Sequence, residues 1–444
     1  MAGIFKAYDI RGIYGEQLTE DVAYKIGRAY ISFTGAKKIV VARDIRPHSE
    51  PLFEALSRGI CEQGADVIDI GHASTPMSYY ANGSLGADGS VMITASHNPA
   101  PWNGFKLCLA NAEPISGATG IMDIEKLVEN ESFAAKAKQP GSIMQYDILP
   151  EYKRHVAQFA HLKKPVHIAI DFANGMGLWE NKTLEDLAGL SWDSLFGDPD
   201  GSFPNHEANP LNTDTLADLQ KKVCEGSYAF GVAYDGDADR AGFVDENGDI
   251  IPMDLTTALI AQDVLASMKG VVFYDLRSSW VVKETIEAAG GTPMMSRVGH
   301  AFIKKQMREN NALFAGELSG HYCFKENFTA ESSAMAIIAL ANIISKSEKP
   351  LSELVAPLKK YYQSGEINSK VDCDPQTILA KLKEMFSDGE GRMFELDGVS
   401  VEFDDWWFNV RCSNTEPLVR LNLEAETEEK MIEKRDEILS VIRG

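Results

Sequence analysis

The stretch KKIVVARDIRPHS, Lys37–Ser49, sets a β-branched apolar run against a closing acid, Asp44. The plan returns as KKPVHIAIDFANGMG, Lys163–Gly177, and as KGVVFYDLRSS, Lys269–Ser279, closed by Asp171 and Asp275. Runs that are apolar throughout, rather than alternating, predict strands covered on both faces, as in a parallel sheet. Each is followed by a helical pattern and a second strand candidate: ADVIDIG (65–71), LSWDSLFGD (190–198) and TPMMSRVG (292–299). A third follows in GSVMITASHNP (89–99), AFGVAYDGDADR (229–240) and ALFAGELSGH (312–321). The repeat is too long and irregular for a solenoid. It predicts three similar α/β domains with mixed, mostly parallel sheets.

From about Val371 the pattern changes. A helix, PQTILAKLKEMF, strands around LDGVSVEF, WWFNVRCS and LVRLNLEA, and a last helix, TEEKMIEKRDEILSVIR, predict a C-terminal α+β domain. That last helix opens with acids and ends with bases, which suits its dipole. The expected domains are 1–150, 151–252, 253–368 and 369–444. Ligands of open α/β sheets gather beyond the carboxyl ends of the strands. SHNP, DGDADR and GELSGH all fall there, so the domains would aim three loops at a central cleft.

Composition narrows the function. A chain of 444 residues exceeds what one core serves, and its formal charge of −22 opposes binding to nucleic acid or anionic membranes. An anionic substrate would need a locally basic pocket. The six cysteines show no CxxC spacing, which argues against a zinc site or a disulfide framework. MAGIFKAYDIRG lacks a secretory apolar core, and no apolar run is long enough to span a bilayer, so a cytoplasmic protein is expected.

DGDADR, Asp235–Arg240, places three carboxylates at alternate positions with small residues between, a pattern suited to a hard divalent cation. An EF-hand would need glycine where Arg240 stands and a flanking helix where a strand is expected, so Mg²⁺ is favoured over Ca²⁺. Ser96 follows the strand SVMIT, with His97 and Lys106 nearby to move protons or hold phosphate. Alone, that loop also reads as an ordinary hydroxyl-bonded turn stopped by proline. RCSNTEP, Arg411–Pro417, followed by Arg420, offers guanidinium, hydroxyl and amide groups for a phosphate dianion, or else a capping turn. Glu317 and Ser319 in GELSGH could contact sugar hydroxyls, or simply form a glycine-rich hairpin. VGHAFIKK, with His300 and Lys304, and AYDIRG, with Tyr8, Asp9 and Arg11, say little singly.

Taken in order, AYDIRG, TASHNP…NGFK, DGDADR, GELSGH and RCSNTEP resemble the α-D-phosphohexomutase superfamily, in its bacterial phosphomannomutase/phosphoglucomutase branch. The resemblance spans nearly the whole chain. It implies reversible phosphoryl transfer between C6 and C1 of a hexose phosphate, through a phosphoserine and a hexose 1,6-bisphosphate that also serves as activator. Mannose 6-phosphate to mannose 1-phosphate is the expected reaction, with glucose or dual specificity as the alternative and glucosamine further off. Ser96 would be the phosphoserine, and Asp235, Asp237, Asp239 and a phosphoserine oxygen would bind Mg²⁺ beside Arg240. Glu317, Ser319 and His321 would read the sugar, with Tyr8 and Arg277 also facing substrate. Arg411, Ser413, Asn414, Thr415 and Arg420 would hold the non-reacting phosphate. His97, Lys106, Arg11 and His300 match positions that assist proton transfer or stabilise charge. The resemblance further implies hexose phosphate partners and a monomer or homodimer.

Three features depart from the pattern. Arg277 stands where relatives commonly carry lysine, and a guanidinium is a poor general base. Glu331 replaces a common aspartate, and Arg420 follows RCSNTEP sooner than in some members. Two rivals remain: a phosphatase releasing the phosphoryl group to water, and a non-catalytic Ca²⁺ or sugar-phosphate binder.

Overall fold

The structure, a computed structural model, describes residues 3–387, 389, 391–412 and 418–444. The three apolar runs form strands Lys38–Arg43, Val166–Asp171 and Val271–Asp275, each interior to its own sheet. On one side each pairs in parallel with the second strand of its repeat, Asp66–His72, Leu190–Leu195 or Thr292–Ser296. On the other side lies the third, Gly89–Ile93, Phe230–Tyr234 or Phe314–Gly316, again parallel. An antiparallel strand closes the core pattern: Trp102–Leu109, Ala241–Asp245 or Tyr322–Phe324. The architecture is therefore three mixed α/β sheets and a fourth domain, as the sequence predicts, although parallel pairings prevail only in the first sheet and equal the antiparallel ones in the second and third.

The repeated acids have one structural task. Asp44, Asp171 and Asp275 each turn a carboxylate oxygen back to accept the N–H two residues on, at 3.0, 2.8 and 2.8 Å. This closes the strand in a side-chain-bonded turn. The second oxygen then takes a basic group: Arg46 Nε at 3.1 Å, His206 Nε2 at 3.1 Å, Arg277 Nη2 at 2.6 Å.

Two helices fix the repeats to one another. Met253–Ser267 and Ser333–Lys346 are buried almost all round, as expected for helices apolar on every face. In the second, Ile337, Ile338 and Leu340 are fully buried, each worth about 2 kcal/mol. Ser332 caps it, accepting from Met335 N at 3.2 Å, and Glu180 of the second repeat accepts from Ala334 N at 3.2 Å. One apolar cluster consequently runs through the first three domains.

The last domain has its own core, around Trp406, Phe408 and Leu421. Its antiparallel sheet also recruits Tyr362–Gln363, from the segment grouped above with the third domain, and Ile367–Lys370, which straddles the expected boundary between 368 and 369. A polar bond ties it to its neighbour: Trp280 N donates to Glu424 Oε1 at 2.9 Å, an oxygen that Trp407 Nε1 also holds from within the last sheet at 3.0 Å. A cavity of about 580 Å³ opens at this seam, lined by Leu276, Trp280, Met295, Phe394 and Trp407 among others. None of SHNP, DGDADR or GELSGH lines it. Among the described residues, no helix is long and apolar enough to cross a membrane.

Candidate active site

The end of strand Gly89–Ile93 delivers Ser96, which adopts a left-handed φ of 51°. That conformation costs a non-glycine residue about 1–2 kcal/mol, so its surroundings must hold it. Thr94 Oγ1 accepts the Ser96 N–H at 2.9 Å. Arg46, fully buried, directs its guanidinium at the loop's carbonyls: Ser96 at 2.9 Å, Asn98 at 2.7 Å, Pro99 at 2.9 Å and Trp102 at 3.1 Å. From the antiparallel strand Ile10–Ile13, Arg11 Nη1 adds Asn98 Oδ1 at 2.6 Å, and Asp9 pairs with Arg11 at 2.7 Å. Two arginines thus impose one shape on the serine loop.

Against it lies the DGDADR turn. Ser96 Oγ donates to Asp235 Oδ2 at 2.9 Å, and a Cβ on Gly236 would sit 2.4 Å from Ser96 O. Only glycine permits that approach. Asp235, Asp237 and Asp239 are buried, each offering an oxygen within 4.8 Å of the others. Burial and the two neighbouring carboxylates push Asp235 well above its usual range. Asp237 Oδ1 is buried with no hydrogen-bond partner among the described residues, and buried Asp239 Oδ1 has only a long contact, to His321 Nε2 at 3.4 Å. Hard, clustered, partly orphaned oxygens fit a divalent cation such as Mg²⁺.

Cations partly balance these acids. Lys106 Nζ bonds Asp237 Oδ2 at 2.6 Å and also reaches Asp239 Oδ2. Burial opposes its charge, but Asp237 and Asp239 hold the ammonium well above the ordinary lysine range. Arg240 N donates to Asp235 Oδ1 at 3.2 Å. Thr75, opening the helix Thr75–Ser84, donates its hydroxyl to Asp237 Oδ2 at 2.6 Å. His97 lies 3.4 Å from Ser96 Oγ; burial, Arg240 and Arg11 drive its imidazole down to about 2. It is neutral near pH 7.

The third loop reaches the same place. His321 Nε2 lies 3.4 Å from Asp239 Oδ1, and Nδ1 lies 2.8 Å from Glu317 Oε2 and 2.9 Å from Ser319 Oγ. Burial disfavours its charge, but Asp239 and Glu317 lift His321 to about 9. Its ring stacks on His300, centroids 5.3 Å apart. His300 Nδ1 faces Glu331 Oε1 at 3.1 Å, and Lys304 holds the other oxygen at 2.9 Å. Burial and Lys304 depress His300, so this imidazole is neutral beside a protonated one. Glu317 also accepts Gly299 N at 2.9 Å and lies 3.9 Å from Arg277. Tyr8 crosses from the first domain to bond Val298 O at 3.4 Å.

Arg277 connects this group to the last domain. Asp275 outweighs burial and holds the guanidinium above its ordinary range, leaving no base at the position. Arg277 Nη1, Arg411 Nη2 and Arg420 Nη1 all meet Glu366, at 3.4, 2.5 and 3.4 Å. Ser413, Asn414 and Thr415 lie outside the described residues. All other expected site residues therefore fall along one chain of contacts from Arg11 and Ser96 to Arg420. Sequence reading missed Arg46 and Glu366. Arg46 had a signal: Asp44-Ile-Arg46 and Asp275-Leu-Arg277 occupy the same place in the repeat. Glu366, in a short polar segment, had none.

Family models of phosphoglucomutase/phosphomannomutase match in chain order: α/β/α domain I over 2–135, domain II over 150–248, domain III over 252–361 and the C-terminal domain over 366–441. The phosphomannomutase of Methanocaldococcus jannaschii is 42% identical over 99% of this chain and 97% of its own. That of Escherichia coli K12 is 38% identical, over 98% and 97%. A crystal structure of a phosphoglucomutase/phosphomannomutase family protein from Burkholderia thailandensis superposes with a TM-score of 0.91 at 33% identity. The match covers 99% of this chain and 96% of that one.

Proposed function

The chain belongs to the phosphoglucomutase/phosphomannomutase family, and on that premise we propose how its residues divide the reaction. The protein is a phosphohexomutase, an isomerase moving a phosphoryl group reversibly between the C6 and C1 oxygens of a hexose phosphate. Mannose 6-phosphate and mannose 1-phosphate are the pair assigned to it, after the relatives named phosphomannomutase.

Ser96 is the phosphoryl carrier. The bond from Ser96 Oγ to phosphorus breaks as one forms to the free sugar hydroxyl, giving a hexose 1,6-bisphosphate. After the intermediate turns over, the other phosphoryl returns to Ser96. The same bisphosphate, supplied in trace, primes an unphosphorylated enzyme. Asp235, Asp237, Asp239 and a phosphoserine oxygen would hold Mg²⁺, which supplies charge stabilisation at the transferring group. Lys106, Arg11 and Arg240 add positive charge around that group. Of the histidines, His300 is assigned the hydroxyl proton: it is neutral, and Glu331 orients it from behind. Protonated His321 and Glu317 face the sugar with Ser319. Arg411, Ser413, Asn414, Thr415 and Arg420 clamp the non-reacting phosphate, and rotation of the separately cored last domain closes the cleft. Six free cysteines support a cytoplasmic setting.

The observation carrying this reading is Ser96 Oγ held 2.9 Å from Asp235, its strained loop braced by Arg46 and faced by Lys106's ion pairs. Incubation with mannose 1-phosphate, Mg²⁺ and trace bisphosphate should yield mannose 6-phosphate, with Ser96→Ala inactive. Free phosphate as the main product would instead make the protein a phosphatase, and wild-type turnover by Ser96→Ala would end the carrier assignment.

A further inference from the structure

Glu366 stands one residue before strand Ile367–Lys370, where the chain enters the last sheet. Three guanidiniums converge on its carboxylate. Arg411 Nη2 donates to Oε2 at 2.5 Å, Arg277 Nη1 reaches the same oxygen at 3.4 Å, and Arg420 Nη1 reaches Oε1 at 3.4 Å. Arg277 comes from the third domain; Arg411 and Arg420 are opposed residues on neighbouring strands of the last. Burial works against the anion, but Arg411, Arg277 and Arg420 hold Glu366 below the usual carboxylate range. Counting Asp275 on Arg277 as well, three cations with two anions leave a positive excess of about one charge, which favours a phosphate dianion.

We propose that Glu366 is a built-in stand-in for the substrate's non-reacting phosphate: it occupies Arg411 in the empty clamp and gives that arginine up when phosphate arrives. The inference rests on the assignment of Arg411 to the phosphate clamp. A guanidinium gathers best around an anion, and like charges at Arg277 and Arg411 would otherwise push each other apart. A carboxylate on Arg411's donor edge also competes with the ligand. Phosphate, with more charge and more acceptor oxygens, wins the donors, and affinity is reduced by the fraction of molecules in which Glu366 holds them. A mutase gains from this exchange. Its bisphosphate must leave the clamp by one end and return by the other, and Glu366 receives Arg411 as each phosphate departs.

The test is calorimetric titration of inorganic phosphate and of mannose 6-phosphate into the full-length wild type, Glu366→Gln and Arg411→Gln, with kcat and KM for each. Glu366→Gln should bind both probes about tenfold tighter. Its KM and kcat should fall together, because release is slowed. A merely structural residue would weaken binding when neutralised. Glu366→Asp, with its carboxylate drawn back by one methylene, should lie between wild type and Gln, and it serves alone if the Gln protein does not fold. Unchanged phosphate binding by Arg411→Gln would remove the clamp assignment itself. Weakened binding there, combined with binding by Glu366→Gln no tighter than wild type, would overturn the stand-in alone.

Discussion

Gly236→Ala tests whether the contact between the serine loop and the aspartate turn sets the catalytic geometry. The added Cβ would lie 2.4 Å from Ser96 O, where ordinary contact begins near 3.4 Å. The two loops must part by about 1 Å. Gly236 is absent from the positive-φ residues, so alanine adopts its backbone freely and the perturbation is steric alone. The opposite side offers no relief, since Gly175 already packs against Gly236 O. Overpacking of this kind costs about 1–3 kcal/mol of stability, and the protein should remain folded. A misplacement near 1 Å costs phosphoryl transfer about 100-fold, or about 2.7 kcal/mol in barrier. The expected result is a kcat lowered about 100-fold with KM for mannose 1-phosphate nearly unchanged, because the proposed clamp lies on another domain. A coupled assay at saturating Mg²⁺ measures it, with urea unfolding in parallel. A folded variant whose kcat stays within about threefold of wild type would refute the reasoning.

Two further outcomes follow from the basic groups on the repeated acids. Arg46→Met leaves Asp44 buried without its partner, and the carbonyls of Ser96, Asn98, Pro99 and Trp102 lose a donor. It should destabilise the fold by about 3–5 kcal/mol in urea, a loss that Arg46→Lys should partly restore. His206 is raised above its ordinary value by the hydrogen bond to Asp171, against partial burial. Its contribution to stability is therefore complete below an unfolded pKa of about 6.5 and is lost as pH rises through the folded value. Unfolding measured from pH 5.5 to 9 should show that loss in the wild type and not in His206→Asn; equal profiles would exclude the pair as its source.

The three domains were legible because parallel strands buried on both faces must be apolar throughout, and three such runs ended in the same acid. Motifs at the third strands were legible for a related reason: chemistry collects at the carboxyl ends of parallel strands, and those positions are read from the repeat. The meaning of the closing acids was not legible. Asp44, Asp171 and Asp275 stand out in the sequence only as closing acids, whereas in the structure each accepts its own loop's N–H and pairs with a local basic group. Protonation states were equally hidden. His300 and His321 are 21 positions apart with no motif distinguishing them, and only burial with Lys304 on one side and Asp239 with Glu317 on the other separates neutral from charged. Glu366 escaped because its significance lies in three arginines drawn from two domains.

A chain carrying −22 would be expected to bind a dianion through a pocket of free cations, but the described cleft has a different electrostatic form. Arg11 is paired with Asp9, Lys106 with Asp237 and Asp239, Arg277 with Asp275, and Arg411 with Glu366. Each of these bases keeps a carboxylate, so none is held desolvated and alone. On the proposed site assignments, a phosphate arriving there would exchange partners rather than fill an unbalanced field, and the net gain per contact would be smaller than the raw attraction suggests. Moderate affinity is what the reaction needs. An enzyme whose intermediate carries two phosphates and must present each end in turn is slowed by any clamp that holds too well. The proposed exchange thereby reconciles the acidic chain with phosphate chemistry: carboxylates that make the protein negative keep its arginines in place and would let the phosphates go.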